Sequence, residues 1–536
     1  MTGIEHSAGG GGRTFLLALL IPALAGLFLL ISSSMYLSPT LDILDAKRLV
    51  QLGLMLTMVL ISLLDPGIRN AFSLQLARIP VAMVLGLLLF FSLGILSGLV
   101  NASSALALAY SLLEVFSILL MLMTAFIMAA CRSLAGIHFD RLAIAMVTML
   151  GLAVGFQELV GVSVAWSTGH QFSYDIALTH FAHPRFYNQL QSWTIPLIVA
   201  LPILFSRSRL AGLVCVLALG LHWYILLMTG SRGSTLSLVC AFTVVLVFSP
   251  LIRKTLFKWQ SAGVLLGVAI YSLMFLGPES GWTPPTASTD VTVMSRNAVD
   301  ASNQASESDD SGRRAVDEPN TYFDLSIGRP MMHSSGRLSL WRDALQYAKE
   351  KPILGIGPMN YACQGPTGRV AHPHNFALQI VSEWGLPALL TLLILLVASM
   401  QRLVAALRKP YDQDSTTLRK LQIILTTAVL AAGLHAGLSG VFVTPASQMM
   451  AALVTGWLFG SFAAGKPLSA KTGRPVVSMG LLTLLLAAGI AGSPLVYHEV
   501  KSMPDYRSQL PLIERALPRF WQLGKACQLH TEVAVK

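Results

Sequence analysis

The stretch HPHNFALQIVSEWG, residues 372–385, carries the side chains of this sequence that are best suited to chemistry. His372 and His374 flank a proline, and Asn375 follows them at the start of an apolar run. An H-x-H pair can bind zinc, but Cys363 is the nearest further ligand and no cluster with metal-ligand spacing accompanies it, so we expect no metal. Two interpretations stay open. Asn375 caps a helix, or His374 accepts the proton of an attacking hydroxyl, because imidazole titrates near neutral pH.

Arg232 lies in the stretch LLMTGSRGSTLSL, between two apolar segments and without an acidic neighbour in the sequence. A cation at a membrane boundary is costly unless its side chain reaches the interface or binds an anion. Gly230 and Gly233 would let a ligand approach the backbone closely, and the N–H groups that begin the next helix favour a phosphate. Both an interfacial arginine and an anion-binding arginine fit this pattern.

Two further arginines are candidates for the same chemistry. Arg337 begins a segment with helical periodicity, although a lone arginine there is also typical of a solvated surface charge. Arg185 lies in HFAHPRFYNQLQSW together with Tyr187 and Asn188. Aromatic and amide side chains beside a membrane entrance are typical both of an interfacial belt and of a sugar-binding surface. The sequence has no phosphate loop or dinucleotide fingerprint, so we expect neither a nucleotide donor nor a cofactor.

The composition is that of a polytopic membrane protein. Of the 536 residues, 54% are hydrophobic and 12% are charged, whereas a soluble domain has about 25% charged residues. A helix needs about 20 apolar residues to cross a bilayer, so the sequence predicts an all-α fold with about 12–13 transmembrane helices. The predicted spans are 14–35, 49–64, 79–100, 105–130, 142–164, 193–206, 210–229, 234–252, 258–277, 376–400, 422–443, 447–465 and 475–497.

The basic residues indicate how the chain crosses the membrane. A net charge of +11 would suggest nucleic acid as a partner in a soluble protein. Here, eighteen Lys and Arg residues lie on one set of alternate loops, and the short loops of the other set hold four, namely Lys47, Arg48, Arg185 and Arg232. Because such residues concentrate on the cytoplasmic side, we predict a cytoplasmic amino terminus and an outward carboxyl terminus, with membrane lipids and no nucleic acid as partners.

These patterns divide the chain into four parts. They are an amino-terminal group of nine helices over 1–277, a long outer loop over 278–375, the carboxy-terminal helices over 376–497 and an outer tail over 498–536. The histidine motif thus lies where the long loop re-enters the membrane.

The long outer loop has two predicted regions. Residues 278–332 are rich in polar residues and Gly without a sustained period, which predicts a flexible segment. Residues 335–351 predict an amphipathic helix with Leu338, Trp341 and Leu345 on one face. Cys363 in this loop and Cys527 in the tail both fall on the outer side, where disulfides persist, so we predict that they pair.

The histidine motif resembles the signature of bacterial O-antigen ligases. That signature is His followed by Asn, Ser or Gln, then nine residues, then Gly-x-x-Gly/Thr. His374 and Asn375 are followed by nine residues and Gly385, and Ala388 departs from the pattern in the last position. The stretches GRLSLWRDAL, PILGIGPMNY and TGSRGS are similar to segments of the same superfamily, which also includes protein O-oligosaccharyltransferases and O-antigen or exopolysaccharide polymerases.

The resemblance implies a metal-independent, inverting glycosyltransferase of the GT-C type in the bacterial inner membrane, acting in lipopolysaccharide biosynthesis or protein glycosylation. Its donor would be a glycan on undecaprenyl pyrophosphate at the periplasmic face. By matching motif, Arg232 and Arg337 would hold the pyrophosphate, and His374 would activate the acceptor hydroxyl or orient the substrates. His372 and Asn375 would support it. Arg185, with Tyr187 and Asn188 beside it, has no matching motif. Its assignment to the pyrophosphate-binding residues rests on topology alone.

The acceptor stays open at this point. A ligase would use lipid A core or a protein serine or threonine, whereas a polymerase would use a second lipid-linked repeat unit. A polytopic transporter, from a different functional class, would also explain the helices. Against it, the spans hold no paired carboxylates beyond Glu114 and Glu158 and no internal repeat.

Overall fold

The computed structural model describes residues 10–35, 37–38, 41, 43–168, 178–181, 183–275, 337–364, 371–410, 415–462 and 475–509. Over these residues the regular structure is helical, without a β-strand. Ten of the described helices are long and apolar enough, by length and composition, to cross a membrane. The predicted all-α, multi-pass membrane fold is confirmed.

The helices follow one another with short connections. In chain order they are α1 (Gly10–Ser34), α2 (Ile43–Leu64), α3 (Pro66–Ala77), α4 (Val81–Asn101), α5 (Ala105–Ala135), α6 (Ile137–Ser167), a 3-10 turn (Thr179–Phe181), α7 (Pro184–Ile198), α8 (Leu201–Leu204), α9 (Arg209–Met228), α10 (Arg232–Phe248), α11 (Pro250–Phe275), α12 (Arg337–Glu350), α13 (Tyr361–Gln364), α14 (Phe376–Trp384), α15 (Leu386–Arg408), α16 (Thr416–Ala436), α17 (Pro445–Ser461) and α18 (Pro475–Gln509).

Three predicted spans correspond in the structure to helices shorter than the roughly 20 residues of a typical membrane crossing. The span predicted at 193–206 is divided between α7 and the four-residue α8, with Pro196 inside α7. The spans predicted at 234–252 and 447–465 correspond to α10 and α17, which have 17 residues each. Almost every residue of α7 and α17 is buried against other helices. Their length therefore need not match the thickness of the lipid.

Two predicted boundaries also differ. The span predicted at 376–400 is two helices, because the chain breaks at Gly385 between α14 and α15. The tail predicted to begin at 498 starts as a continuation of α18, which ends at Gln509. Lys47 and Arg48, expected in a loop, lie in the first turns of α2 and are buried.

Part of the predicted outer loop can be compared with the structure. The segment 278–332 and Cys527 lie outside the described residues, so the flexible segment and the disulfide stay predictions. Helix α12 is present, but its buried side chains are Leu340 and Ala344, whereas Leu338 and Leu345 are exposed. The helix was predicted to lie against the protein or against the membrane surface, and it packs against the protein with the side that carries Leu340 and Ala344.

Small residues let the central helices approach one another. A Cβ atom on Gly456 of α17 would lie 2.2 Å from the carbonyl oxygen of Ala125 in α5. A Cβ on Gly460, one turn later, would lie 2.7 Å from the carbonyl oxygen of Ala129. Close backbone contact replaces the hydrophobic driving force that is missing between helices in lipid. Helix α17 is thereby held in the interior, with its start beside the histidine motif.

Gly385 positions the helix that carries this motif. Its φ is +89°, in the region that favours glycine. A Cβ there would lie 2.1 Å from the carbonyl oxygen of Ile353. The N–H of Leu386 donates to the carbonyl of Pro352, and the N–H of Gly357 donates to that of Glu383. The loop after α12 is thus fastened directly to the end of α14, which explains the glycine in the signature.

Replacing Gly385 by alanine is expected to destabilise the protein by about 2 kcal/mol or more, because the new methyl group clashes with backbone and the φ is unfavourable. Thermal unfolding of the detergent-purified protein measures the effect. Gly433→Ala is the matched control, because nothing lies within 4 Å of a Cβ at that helical position. Equal unfolding temperatures for the two variants would contradict this account of the break.

Candidate active site

Asn375 caps the amino-terminal end of α14. This residue is the helix N-cap, and its side-chain oxygen accepts a hydrogen bond of 3.0 Å from the N–H of Leu378. Its amide nitrogen donates to the carbonyl of Gly437, 3.0 Å away, just after α16. The cap interpretation of Asn375 is therefore confirmed. The same contact ties the histidine motif to the turn between α16 and α17.

His374, immediately before the cap, has an unusual backbone. Its φ is +52°, which few residues other than glycine adopt. Its N–H donates to Nδ1 of His372 at 3.2 Å, and the centroids of the two imidazole rings are 4.3 Å apart. Trp341 of α12 donates from its indole nitrogen to the carbonyl of Pro373 at 3.0 Å. The surrounding contacts hold the strained residue in place, a pattern that is frequent at functional sites.

His372 supports this geometry and is itself buried. A Cβ atom placed on Gly440 would lie 2.6 Å from its Cε1 atom, so the imidazole packs closely against the turn before α17. With Nδ1 occupied by the His374 N–H, the ring is oriented as a backbone cap. Among the described residues, no group of three or more His, Cys, Asp or Glu side chains converges in a manner suited to a metal ion.

Two arginines act on His374. The pKa of His374 is lowered to about 3, chiefly by burial and further by the positive charges of Arg337, Arg185 and His183. Burial and the nearby charge of Arg185 also lower the pKa of Arg337. Like charges repel each other. A neutral imidazole beside two guanidinium groups that repel each other is therefore an arrangement that an anion would stabilise.

Arg185 and Arg337 begin helices that come from distant parts of the chain. Arg185 is exposed in the first turn of α7, where its N–H donates to Nδ1 of His183 at 3.1 Å. Arg337 is half-buried and is the first residue of α12. The fold brings both of them to His374, as their electrostatic effect on this residue requires.

Arg232 lies near His435, a histidine that the sequence did not single out as a site residue. Arg232 is the exposed first residue of α10. A Cβ on the next residue, Gly233, would lie 3.6 Å from the His435 ring. The positive charge of Arg337 also acts on His435. Arg232 is thus linked to Arg337 through His435.

His435 is buried with both of its ring nitrogens in hydrogen bonds. Nδ1 lies 2.8 Å from the hydroxyl of Ser192, and Nε2 lies 3.3 Å from that of Ser234. Ser234 also contacts Ser231, beside Arg232, at 2.9 Å. An ionisable residue within an apolar span was the signal that could have identified His435.

Tyr187 and Asn188 lie in the interior and not at a surface. The Tyr187 hydroxyl lies 2.9 Å from Nδ1 of the buried His222. Asn188 donates from its amide nitrogen to Thr229 at 2.9 Å, and its carbonyl accepts from Ser234 at 3.3 Å. Neither an interfacial belt nor an exposed sugar-binding surface describes them. Asn188 instead supports the turn that carries Arg232.

Known proteins provide an independent comparison. Residues 213–393, about a third of the chain, match the family model described as O-antigen ligase. No curated protein sequence matches the chain. The matched segment includes Arg232, Arg337 and the histidine motif through Gly385, whereas Arg185 and His435 lie outside it. Ala388, the departure from the signature, is fully buried and belongs to the same hydrophobic cluster as Trp384 and Phe90.

The family acts on lipid-linked glycans, which agrees with the multi-pass membrane fold. Residues 213–393 of this multi-pass membrane protein match the O-antigen ligase family, and that family implies glycosyltransferase activity.

Proposed function

We propose that the protein transfers a glycan from undecaprenyl pyrophosphate to an acceptor hydroxyl at the outer face of the bacterial inner membrane, with inversion and without a metal ion. The observation that carries this proposal is the position of His374, half-buried beside Arg337 and Arg185. The distribution of basic residues over the loops supports the assignment of this end of the bundle to the outside. A donor that is already activated suits a compartment without nucleotide sugars.

The arginines suit a pyrophosphate leaving group. Arg337 and Arg185 lie close enough to influence each other, and a diphosphate bound between them would relieve their repulsion. Arg232 adds a guanidinium at the N-terminus of α10, where backbone N–H groups also favour an anion. Negative charge develops on the pyrophosphate as the glycosidic bond breaks, so these groups stabilise the transition state more than the ground state.

His374 would take the proton of the acceptor. The acceptor oxygen forms a bond to the anomeric carbon, and the bond from that carbon to the pyrophosphate oxygen breaks with its electron pair. The hydroxyl proton passes to the neutral imidazole. A pKa of about 3 makes His374 a weak base in the free protein. A bound diphosphate would offset the charges of Arg337 and Arg185 and so raise the pKa of His374 when the donor is present.

Deletion of the gene in the native cell, followed by complementation, tests the proposal. The wild-type chain should restore the glycosylated product, and a His374→Ala chain at equal protein level should not. Loss of long chains on lipid A indicates a ligase, an unglycosylated protein indicates a protein acceptor, and loss of free polymer indicates a polymerase. A deletion strain with unchanged lipopolysaccharide, glycoproteins and exopolysaccharide would contradict glycan transfer in the cell.

The pH dependence of kcat/KM is expected to lack an acid limb near pH 6.5, because His374 in the free protein stays neutral until the pH approaches its lowered pKa of about 3. Arg337→Gln removes one positive charge that lowers this pKa, so the acid limb should move to higher pH. Initial rates between about pH 3 and pH 7.5 measure both effects. A wild-type limb near pH 6.5 that Arg337→Gln leaves in place would contradict this electrostatic assignment.

Transfer by the purified protein is expected to survive extensive treatment with EDTA, because arginines can stabilise the pyrophosphate without a metal ion. The rate before and after chelation is the measurement. Loss of activity that zinc alone restores would instead favour a metal site at His372 and His374.

A further inference from the structure

His435, in the last turn of α16, is hydrogen-bonded to two other helices. Its first partner, the Ser192 hydroxyl, belongs to α7, which carries Arg185 in its first turn. Its second partner, the Ser234 hydroxyl, belongs to α10, which begins at Arg232. All three hydrogen-bonded side chains are buried. His435 is therefore a point at which the helices of two candidate arginines are fastened to a third helix.

The hydrogen-bond distances assign the proton of the His435 ring. Each serine can give its hydroxyl hydrogen either to the ring or to the carbonyl of Asn188. For Ser192 the ring is the closer acceptor, with Nδ1 at 2.8 Å and the carbonyl at 3.3 Å. A neutral imidazole then carries its hydrogen on Nε2, which donates to the Ser234 oxygen at 3.3 Å. With both nitrogens engaged, His435 has no free site at which to take a proton from a substrate.

The start of α10 depends on contacts from outside the helix. Ser231 is the N-cap, but its side chain makes no cap hydrogen bond in the described structure and contacts the Ser234 hydroxyl at 2.9 Å instead. Gly230, just before it, has a φ of +55°, in the region that favours glycine. A helix start without a side-chain cap has to be fixed by neighbouring elements. The Nε2–H of His435 provides such a contact, two residues after Arg232.

The ring of His435 also packs beside the residue that follows Arg232. A Cβ atom on Gly233 would lie 3.6 Å from Cδ2 and Nε2 of the ring, which is ordinary van der Waals contact. The positive charge of Arg337 acts on the same ring. A neutral imidazole is polar enough to hold α10 by a hydrogen bond, and it adds no further positive charge beside the arginines.

The end of α16 contacts the histidine motif as well. Gly437, two residues after His435, accepts a hydrogen bond of 3.0 Å from the side chain of Asn375. One short stretch of chain therefore touches both the helix that starts at Arg232 and the cap residue that follows His374. The separation between the Arg232 helix and His374 is set by this stretch.

We propose that His435 is a positioning residue, which holds the start of α10 so that the guanidinium of Arg232 meets the pyrophosphate while His374 faces the acceptor. The inference rests on the proposed function. His435 lies outside residues 213–393, so the family match assigns it no role. Groups that act on a transition state have to be held to within about 0.5 Å. A displacement of about 1 Å can cost about 10²-fold in rate.

Two amide replacements of His435 separate the two hydrogen bonds of its ring. A glutamine amide reaches about as far as Nε2, whereas an asparagine amide reaches only about as far as Nδ1. His435→Gln keeps a donor for Ser234 and should retain turnover within about threefold of the wild type. His435→Asn keeps only a partner for Ser192 and should lose turnover by about tenfold or more.

The measurement is the initial rate of glycan transfer by the full-length protein in nanodiscs. The donor is the lipid-linked glycan purified from the deletion strain, and that strain's detergent-solubilised membranes supply the acceptor. Thermal unfolding of each variant verifies that the fold is retained.

A matched pair of serine variants makes the same chemical change at the two ends of the ring. Ser234→Ala should reproduce the loss of about tenfold, because the contact beside Arg232 is removed. Ser192→Ala removes the shorter hydrogen bond but leaves Nε2–H in place, so turnover should stay within about threefold. The pair separates positioning of Arg232 from the general cost of a lost buried hydrogen bond. If His435→Asn does not fold, Ser234→Ala carries the test.

A double variant shows whether His435 acts through Arg232. In an Arg232→Ala protein, Ser234→Ala should lower the remaining turnover by less than about twofold, because the side chain that the contact positions is absent. Equal losses from Ser192→Ala and Ser234→Ala in folded proteins would overturn the positioning role. A further full tenfold loss in the Arg232→Ala protein would overturn it too. A wild-type protein that transfers no glycan would instead contradict the proposed function.

Discussion

His374→Asn is expected to reduce the rate of glycan transfer by about 10²- to 10⁴-fold, because it removes the group that accepts the proton of the attacking hydroxyl. Asparagine is the most informative replacement. It tolerates a φ of +52° better than alanine does, so the backbone before the cap should persist. Single-turnover transfer with the purified protein measures the rate, and thermal unfolding verifies that the fold is retained.

His138→Asn is the matched control for this substitution. His138 is exposed near the start of α6, at the other end of α5 from the histidine motif. The His138→Asn protein should therefore transfer glycan at the wild-type rate. His372→Asn should give an intermediate loss, because the acceptor for the His374 N–H is altered while the proposed base remains. A His374→Asn protein with wild-type turnover would remove the assignment of this histidine as the base.

Arg337→Lys is expected to reduce turnover by about 10²- to 10³-fold, the usual cost of losing one well-placed group that stabilises charge in a transition state. Lysine keeps the positive charge but loses the planar fork that binds two phosphate oxygens at once. Arg232→Lys should act in the same direction. Because Arg337 makes its contribution as the pyrophosphate leaves, kcat should fall more than the affinity for the donor.

The control for the arginine variants is Arg209→Lys, an equally conservative change at an exposed helix start at the other end of α9 from Arg232. All three proteins should be present at similar levels in the membrane. Unchanged turnover in both Arg337→Lys and Arg232→Lys would indicate that the pyrophosphate is bound elsewhere. A loss of turnover matched by loss of folded protein would assign these arginines to structure.

Much of the fold follows from composition and hydropathy. The ten long helices were predicted because the cost of exposing backbone to lipid requires long apolar helices, a property that each segment carries by itself. Helices α7 and α17 were misjudged because protein and not lipid surrounds them. The break at Gly385 depends on a contact with Ile353, which local periodicity does not encode.

Some residues of the candidate site could also be predicted from the sequence, and others could not. His374, Asn375, Arg232 and Arg337 could be singled out because their types and neighbours are visible along the chain. His435 was missed because its partners Ser192 and Ser234 lie far from it in the sequence.

By itself, the sequence determined that this chain is a helical membrane protein, that Asn375 caps a helix and that the histidine motif is of the O-antigen ligase type. These are properties of single segments, set by apolar length, by capping and by residue spacing. Only the tertiary structure decided that the positive charges of Arg185 and Arg337 both act on His374. It also decided that Arg48 and Glu114 line one cavity beside α14. Such convergence depends on how helices from distant parts of the chain pack, which no single segment specifies.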